Sequence, residues 1–167
     1  MSMFSIRTST PRDREAIRSV EEHAFGQPAE AGLVDALVNQ GDAVVELVAE
    51  EEGSVVGHIL FSRLYVDSSE GKFPAVALAP LAVEPDFHGT GIGGALIREA
   101  HIRLKDAGEK LSVVVGDPSY YGRFGYQRAR AEKFGSAYQG HAMQALAWDD
   151  EAPSSGTLVY APAFGSL

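Results

Sequence analysis

Residues 83–94 read Val-Glu-Pro-Asp-Phe-His-Gly-Thr-Gly-Ile-Gly-Gly, a turn with four glycines that leads out of an apolar run and into a helical pattern. Glycines let backbone N–H groups come close to a ligand, and a helix N-terminus adds partial positive charge. Such a turn suits a phosphate or pyrophosphate. A Walker-type phosphate loop would carry Lys and then Ser or Thr after its last glycine, but Ala95 and Leu96 stand there. The dinucleotide pattern G-x-G-x-x-G is present as Gly89, Gly91 and Gly94, and Asp117 ends the next apolar strand, where a ribose-binding acid would sit. Against that reading, five residues, Glu84 to His88, separate strand from glycines, and the roughly fifty residues after Asp117 read as strands and loops instead of further βαβ units.

The elements that must hold this turn follow from periodicity. Phe4 and Ile6 alternate with polar neighbours as a short strand would, and Thr10-Pro11 opens a helix whose apolar face is Ala16, Ile17, Val20 and Ala24. A second short helix carries Leu33, Val34, Leu37 and Val38. Residues 44–51 and 55–66 are rich in β-branched residues and joined by Glu52-Gly53, the signature of a hairpin, and residues 68–74 read as a polar loop. Residues 75–83 are almost wholly apolar, as a central strand is, yet contain Pro80, which has no N–H for a ladder. From Gly91 the pattern turns helical through Ile92, Ala95, Leu96, Ala100 and Leu104. Residues 111–115 are a buried strand, 119–124 hold one or two helical turns, and 126–131, 141–148 and 157–160 are weaker strands. With no repeat or linker, the expectation is one α/β domain over residues 1–167, ordered β-α-α-β-β-β-α-β-α and then the weaker strands.

The same segments resemble the GNAT superfamily of N-acetyltransferases. Its acetyl-CoA signature is Gln or Arg, two residues, Gly, one residue, then Gly or Ala; His88, Gly91 and Gly93 fill those places. Upstream, Pro80-Leu81-Ala82-Val83 continues the likeness, and Tyr120-Tyr121-Gly122-Arg123-Phe124-Gly125-Tyr126 looks like the family's tyrosine segment, with Tyr121 in the tyrosine place. The resemblance covers roughly residues 44–130. It implies a mixed, mostly antiparallel sheet flanked by helices, with acetyl-CoA as cosubstrate. His88, Gly89, Thr90, Gly91, Ile92, Gly93 and Gly94 would receive the pyrophosphate. Leu81, Ala82 and Val83 would receive the pantetheine arm, on a strand that Pro80 either frees from its neighbour or simply bulges. Tyr121 would serve the departing thiolate as acid. His88 departs from the family's Gln or Arg; a histidine switches between a charged, Arg-like donor and a neutral, Gln-like one, so cofactor affinity is expected to weaken as pH rises. The position where the family often carries a glutamate base appears as Ala77, leaving Glu21, Glu22, Asp67, Glu84, His58 or a water chain as alternatives.

Composition bounds the partners. Fourteen Lys and Arg against 23 Asp and Glu give a net charge of −9, which disfavours nucleic acid and anionic membranes and favours a small, cationic amine as acceptor. The chain has no cysteine, so a disulfide framework, a thiolate zinc site and a cysteine nucleophile are excluded. The five histidines show no paired ligand spacing and no G-x-S-x-G elbow occurs, so no metal and no serine hydrolase is expected. Arg123-Phe124-Gly125-Tyr126 lacks the glycine placement and basic face of an RNA-binding motif. Lacking an apolar run long enough for a bilayer, the chain reads as cytoplasmic. Two rivals to an amine acetyltransferase stay open at this point: a non-catalytic acyl-CoA sensor, which Ala77 favours, and a dinucleotide-binding domain.

Overall fold

The computed structural model describes residues 4–166. An antiparallel meander of β2 (Ala43–Glu51), β3 (Ser54–Ser68) and β4 (Gly71–Val83) forms the centre of the sheet, with β1 (Ser5–Thr8) on the outer edge of β2. Beyond β4 lie β5 (Leu111–Val115), parallel to it, and β7 (Met143–Ala147), antiparallel to β5. β8 (Gly156–Val159) takes the edge of β3 past the end of β2 and pairs with the two-residue β6 (Phe134–Gly135).

Alternation along the strands sends one side-chain set to each face. On one face Leu47, Ile59, Phe61, Val76 and Leu78 pack under α3 (Ile92–Asp106), whose Ile92, Leu96, Ile97, Ala100 and Leu104 are the expected apolar stripe. On the other, Val48 and Leu60 pack under α1 (Arg14–Phe25) and α2 (Ala29–Asn39) through Ile17, Leu33, Val34 and Leu37. A mostly antiparallel sheet between two helical layers is thus the architecture that the resemblance implies.

Three expectations need correction. The polar loop at 68–74 is mostly strand: Ser68 pairs with Gly71 and Asp67 with Lys72, because the β3–β4 ladder continues outward past the apolar part of each strand. Residues 126–131 are not a strand. Gln127 makes one bridge to Ala145, and Arg128–Ala131 then turns as the short helix α5, which buries Ala131. The first helix is preceded by a 3-10 turn, Pro11–Asp13, in which Asp13 accepts from the Thr10 N–H and from both terminal nitrogens of Arg7.

Pro80 has both proposed effects. β4 carries one extra residue between its pairings with Ile59 and Phe61, a bulge at Ala79 and Pro80. Its parallel pairing with β5 covers only Val76, Ala77 and Leu78. From Ala79 onward β4 and β5 part, and the cleft between them opens toward the glycine turn.

Candidate active site

The turn is built from the strand upward. After Val83, a 3-10 turn at Pro85–Phe87 redirects the chain, and Thr90 Oγ1 donates to the Phe87 carbonyl at 2.5 Å. Gly89 and Gly91 have φ of 79° and 87°, values that side chains other than glycine's resist, and Gly91 is the N-cap of α3. Gly93 serves differently: a Cβ there would lie 2.7 Å from the Tyr120 hydroxyl, which packs over the first turn of the helix. A cavity of about 590 Å³ opens over this turn, walled by Leu81, Ala82, Val83, His88, Gly89, Gly91, Ile92, Gly93 and Gly94. Arg98 and Arg123 also wall it, their guanidinium groups 4.9 Å from the Phe124 ring centre and 4.8 Å from that of Tyr120. Both arginines went unselected in the sequence; Arg98 falls one turn after Gly94 and Arg123 within the tyrosine segment, so spacing could have found them.

The edge of β4 separates the three residues expected to receive the pantetheine arm. Glu84 N donates to Val56 O, and His58 faces Ala82 two residues back along the ladder. In an antiparallel pair this alternation makes Ala82 a residue whose backbone groups bond β3, while those of Leu81 and Val83 point to the opposite edge, where β5 no longer pairs. Leu81 and Val83 are therefore the residues with groups to offer, and Ala82 contributes only its wall. His88 does something the sequence did not suggest: its Nε2 lies 2.9 Å from the Val83 carbonyl and donates to it. One ring nitrogen is thus committed to the strand end, and the Val83 carbonyl is already occupied.

A second cavity of about 420 Å³ adjoins the first, sharing Phe25 and Leu81 as walls. It lies in the cleft between Ala79–Leu81 of β4 and Val113–Val115 of β5, and Tyr121 borders it. α4 (Pro118–Tyr121) sets that tyrosine; Asp117 caps the helix by accepting from Ser119 N at 3.0 Å and Ser119 Oγ at 2.9 Å. Asp117 therefore has a structural task, which removes the acid that a dinucleotide reading requires. The Tyr121 ring stands edge-on to Tyr120 and Tyr126, and among the described residues nothing hydrogen-bonds its hydroxyl. Burial pushes that phenol up to about 12, so it remains a proton donor at neutral pH. Tyr126, by contrast, is fully committed, with Ser112 Oγ at 2.7 Å and His101 Nε2 at 3.0 Å.

Ala77 borders the second cavity but brings no titratable group. None of the alternatives named for a base reaches either cavity wall. Glu84 bonds His23 Nδ1 at 2.9 Å, and Asp67 pairs with Lys72 in the outer hairpin. Glu21 and His58 are wholly buried: His58 Nδ1 meets Glu21 Oε2 at 2.7 Å and its Nε2 meets Glu46 Oε2 at 2.8 Å, while Glu46 also holds Arg14 and Ser9. The carboxylate that does border the second cavity is Glu30, in the first turn of α2. No residue type or spacing marked it, because the cavity gathers walls from distant segments. No cluster of potential metal ligands occurs among the described residues, and no helix there is long and apolar enough to cross a membrane.

The model of the acetyltransferase (GNAT) domain matches residues 5–129. This chain belongs to the GNAT acetyltransferase family. It is similar to the uncharacterized N-acetyltransferases YjhQ and YhbS of Escherichia coli. YjhQ is 37% identical over 132 residues, which cover 78% of this chain and 73% of that one. YhbS is 35% identical over 125 residues, covering 74% of each. Among solved structures, a GNAT family acetyltransferase from Brucella melitensis in complex with acetyl-CoA superposes with a TM-score of 0.83 at 35% identity, covering 98% of this chain and 99% of that one. The YhbS structure in complex with CoA superposes at 0.89 with 29% identity, covering 99% and 93%.

Proposed function

We propose that this GNAT chain is an acetyl-CoA-dependent N-acetyltransferase, a single domain over residues 1–167, whose primary amine acceptor attacks the thioester directly. The observation that carries this reading is the parting of β4 and β5 after Leu78, which joins an anion-suited cavity to a second cavity bordered by Tyr121. The N–H groups of the turn, with Arg98 and Arg123, suit a pyrophosphate; the open groups of Leu81 and the Val83 N–H suit the amides of a pantetheine arm lying as an added strand. The complexes of the Brucella and Escherichia relatives with acetyl-CoA and CoA support the same cosubstrate. Tyr121, unbonded and neutral, donates to the thiolate as the C–S bond breaks. Direct attack is supported by the absence of cysteine and by a second cavity whose walls, among the described residues, hold no Ser, Thr, Lys or His to carry an acyl group. A cytoplasmic setting accords with a soluble cosubstrate of this kind.

Calorimetry tests the cofactor half: acetyl-CoA binds and NAD or NADP does not, whereas the opposite order would return the dinucleotide reading. Release of free CoA thiol that depends on added amine tests the enzyme half. Ala77, where the family often has its base, favours one rival, an acyl-CoA sensor. Binding of acetyl-CoA with no thiol release across an amine panel would establish that rival.

A further inference from the structure

The second cavity has a composition that its surroundings do not require. Its far wall is a rail of aromatic rings: Tyr138 and Tyr160 stand edge-on at 5.1 Å, and Tyr160 and Phe164 lie tilted at 5.2 Å. Its rim leaves large apolar groups in water, with Phe25 42%, Tyr138 39% and Val115 46% exposed. Soluble surfaces rarely gather such residues unless something covers them. Against this apolar lining stands, among the described residues, one charged group, Glu30. Both of its oxygens accept from Gln27 Nε2 at 3.1 Å, a single shared donor that leaves lone pairs on each oxygen. Behind it, Glu21 is wholly buried and its Oε1 has no hydrogen-bond partner. Burial raises the pKa of Glu21, and the charge of Glu30 adds a smaller push in the same direction, so Glu30 lies within electrostatic reach of Glu21.

We infer that the acceptor is a monoamine on an apolar, preferably aromatic body, held with its ammonium on Glu30 and its body along Tyr138, Tyr160 and Phe164. This deepens the proposed function and rests on it. One carboxylate matches one ammonium. A second cationic centre, as in a polyamine or aminoglycoside, would lie against apolar walls with no counter-charge, which is costly. The net charge of −9, which favours such polycations in the sequence, belongs to the outer surface and not to this cavity. Glu30 also answers the missing base at Ala77. The ammonium gives one proton to the Glu30 carboxylate, and the neutral nitrogen forms the C–N bond at the thioester carbonyl. As the C–S bond breaks, Tyr121 protonates the sulfur and takes in exchange the second proton of the attacking nitrogen, while the first leaves Glu30 for solvent. The net change is ammonium plus acetyl thioester to amide, thiol and one proton. The titratable groups that line the cavity with Glu30 are the phenols of Tyr121, Tyr138 and Tyr160, and Glu21, bonded to His58, senses its charge from α1.

The test uses the full chain with acetyl-CoA and three probes: 2-phenylethylamine, spermidine and glycinamide. At pH 7.5, kcat/KM for 2-phenylethylamine is expected to exceed that for spermidine at least about tenfold. Glu30→Gln should lower it about 10²-fold with acetyl-CoA affinity unchanged by calorimetry, and the deficit should shrink toward pH 10, where the free amine needs no base. Tyr138→Ala should cost 2-phenylethylamine about tenfold and glycinamide little. Spermidine as the best probe, or Glu30→Gln with wild-type kinetics, overturns the inference while leaving the acetyltransferase reading intact. Acetyl-CoA binding without turnover of any probe overturns that reading, and the inference with it.

Discussion

The two adjoining cavities are opposites in charge and in the way the chain builds them. Among the described residues, the first is walled by two arginines and no carboxylate, and the second by one carboxylate and no Lys or Arg. The first draws most of its walls from residues 81–98 and 120–124, two nearly continuous stretches on either side of one helix start. The second collects α1, α2, β4, β5, α4 and three aromatic residues from the last thirty positions. An anionic cofactor common to many enzymes can be held by local backbone geometry, whereas an acceptor is selected by side chains that only the tertiary fold assembles. The two meet at Leu81 and Phe25, and on the proposed reading the reaction takes place there, beside Tyr121 on the wall of the second.

Tyr121→Phe breaks the meeting point and should have the largest effect. The ring and its packing against Tyr120 remain, and only the hydroxyl is lost. kcat should fall about 10²- to 10⁴-fold, with acetyl-CoA affinity nearly intact. Since burial holds the phenol near 12, the deficit should stay constant between pH 6 and 9 in steady-state assays. Unchanged kcat would assign the tyrosine to packing.

The wall shared by both cavities is set from behind. Phe25 lies one turn after Glu21 on α1, and Glu21 is tied through His58 to Glu46, Arg14 and Ser9. Burial alone would lower the pKa of His58, but its two carboxylate partners outweigh that and raise it. Burial likewise opposes ionisation of Glu46, yet bonds from His58, Arg14 and Ser9 bring it down to about 2. A raised histidine contributes its full stability below about 6.5 and loses it as pH rises through the folded value. A depressed carboxylate contributes above about 4.5 and loses as pH falls toward 2. The melting temperature should therefore decline on both the alkaline and the acid side. His58→Gln should cost about 3–5 kcal/mol, as loss of one partner from a buried charged set does, and should flatten the alkaline decline in a thermal melt series. An unaltered alkaline limb would show that His58 does not govern it.

The unequal legibility of the two cavities has the same origin as their unequal construction. The order from β2 through β5 and the glycine turn at residues 88–94 were readable because periodicity and glycine spacing are local, whereas Tyr121 was singled out only through the resemblance to the family's tyrosine segment. Arg98 and Arg123 were readable in principle, being within a helical turn or a residue or two of selected motifs. Glu30, Tyr138, Tyr160 and Phe164 were not, since nothing in sequence joins an early helix to late loops. The outer β3–β4 hairpin was hidden by polar residues that pair through backbone alone, and α5 by a short Arg-Ala alternation that mimics a strand. The turn itself gives a third, smaller test. Gly91→Val puts a β-branched residue at a φ of 87°, a strain of about 1–3 kcal/mol, and should weaken acetyl-CoA binding about 10- to 100-fold while 2-phenylethylamine selectivity over spermidine stays the same. Selectivity lost in parallel with affinity would mean that the cavities are not separable.

His88 supplies the smallest effect and the finest distinction. Its Nε2–H is given to the Val83 carbonyl, so only Nδ1 can change its proton without breaking that bond. If Nδ1 meets the pyrophosphate, a protonated ring donates there and a neutral ring offers a lone pair to an anion. Acetyl-CoA affinity should then weaken severalfold as the pH of the measurement is raised from 5 to 8. His88→Gln keeps an N–H for Val83 and cannot titrate, so its affinity should be flat over that range and within a few-fold of wild type at pH 7. The backbone N–H groups of the turn and the two arginines, which wall the same cavity, are untouched, and on the proposed reading they carry most of the attraction to the anion. Calorimetric titration of both proteins across the range decides between the roles. Parallel curves would make His88 a brace that fixes the end of β4 for the turn, in which case the affinity of the first cavity owes its charge to Arg98 and Arg123 alone.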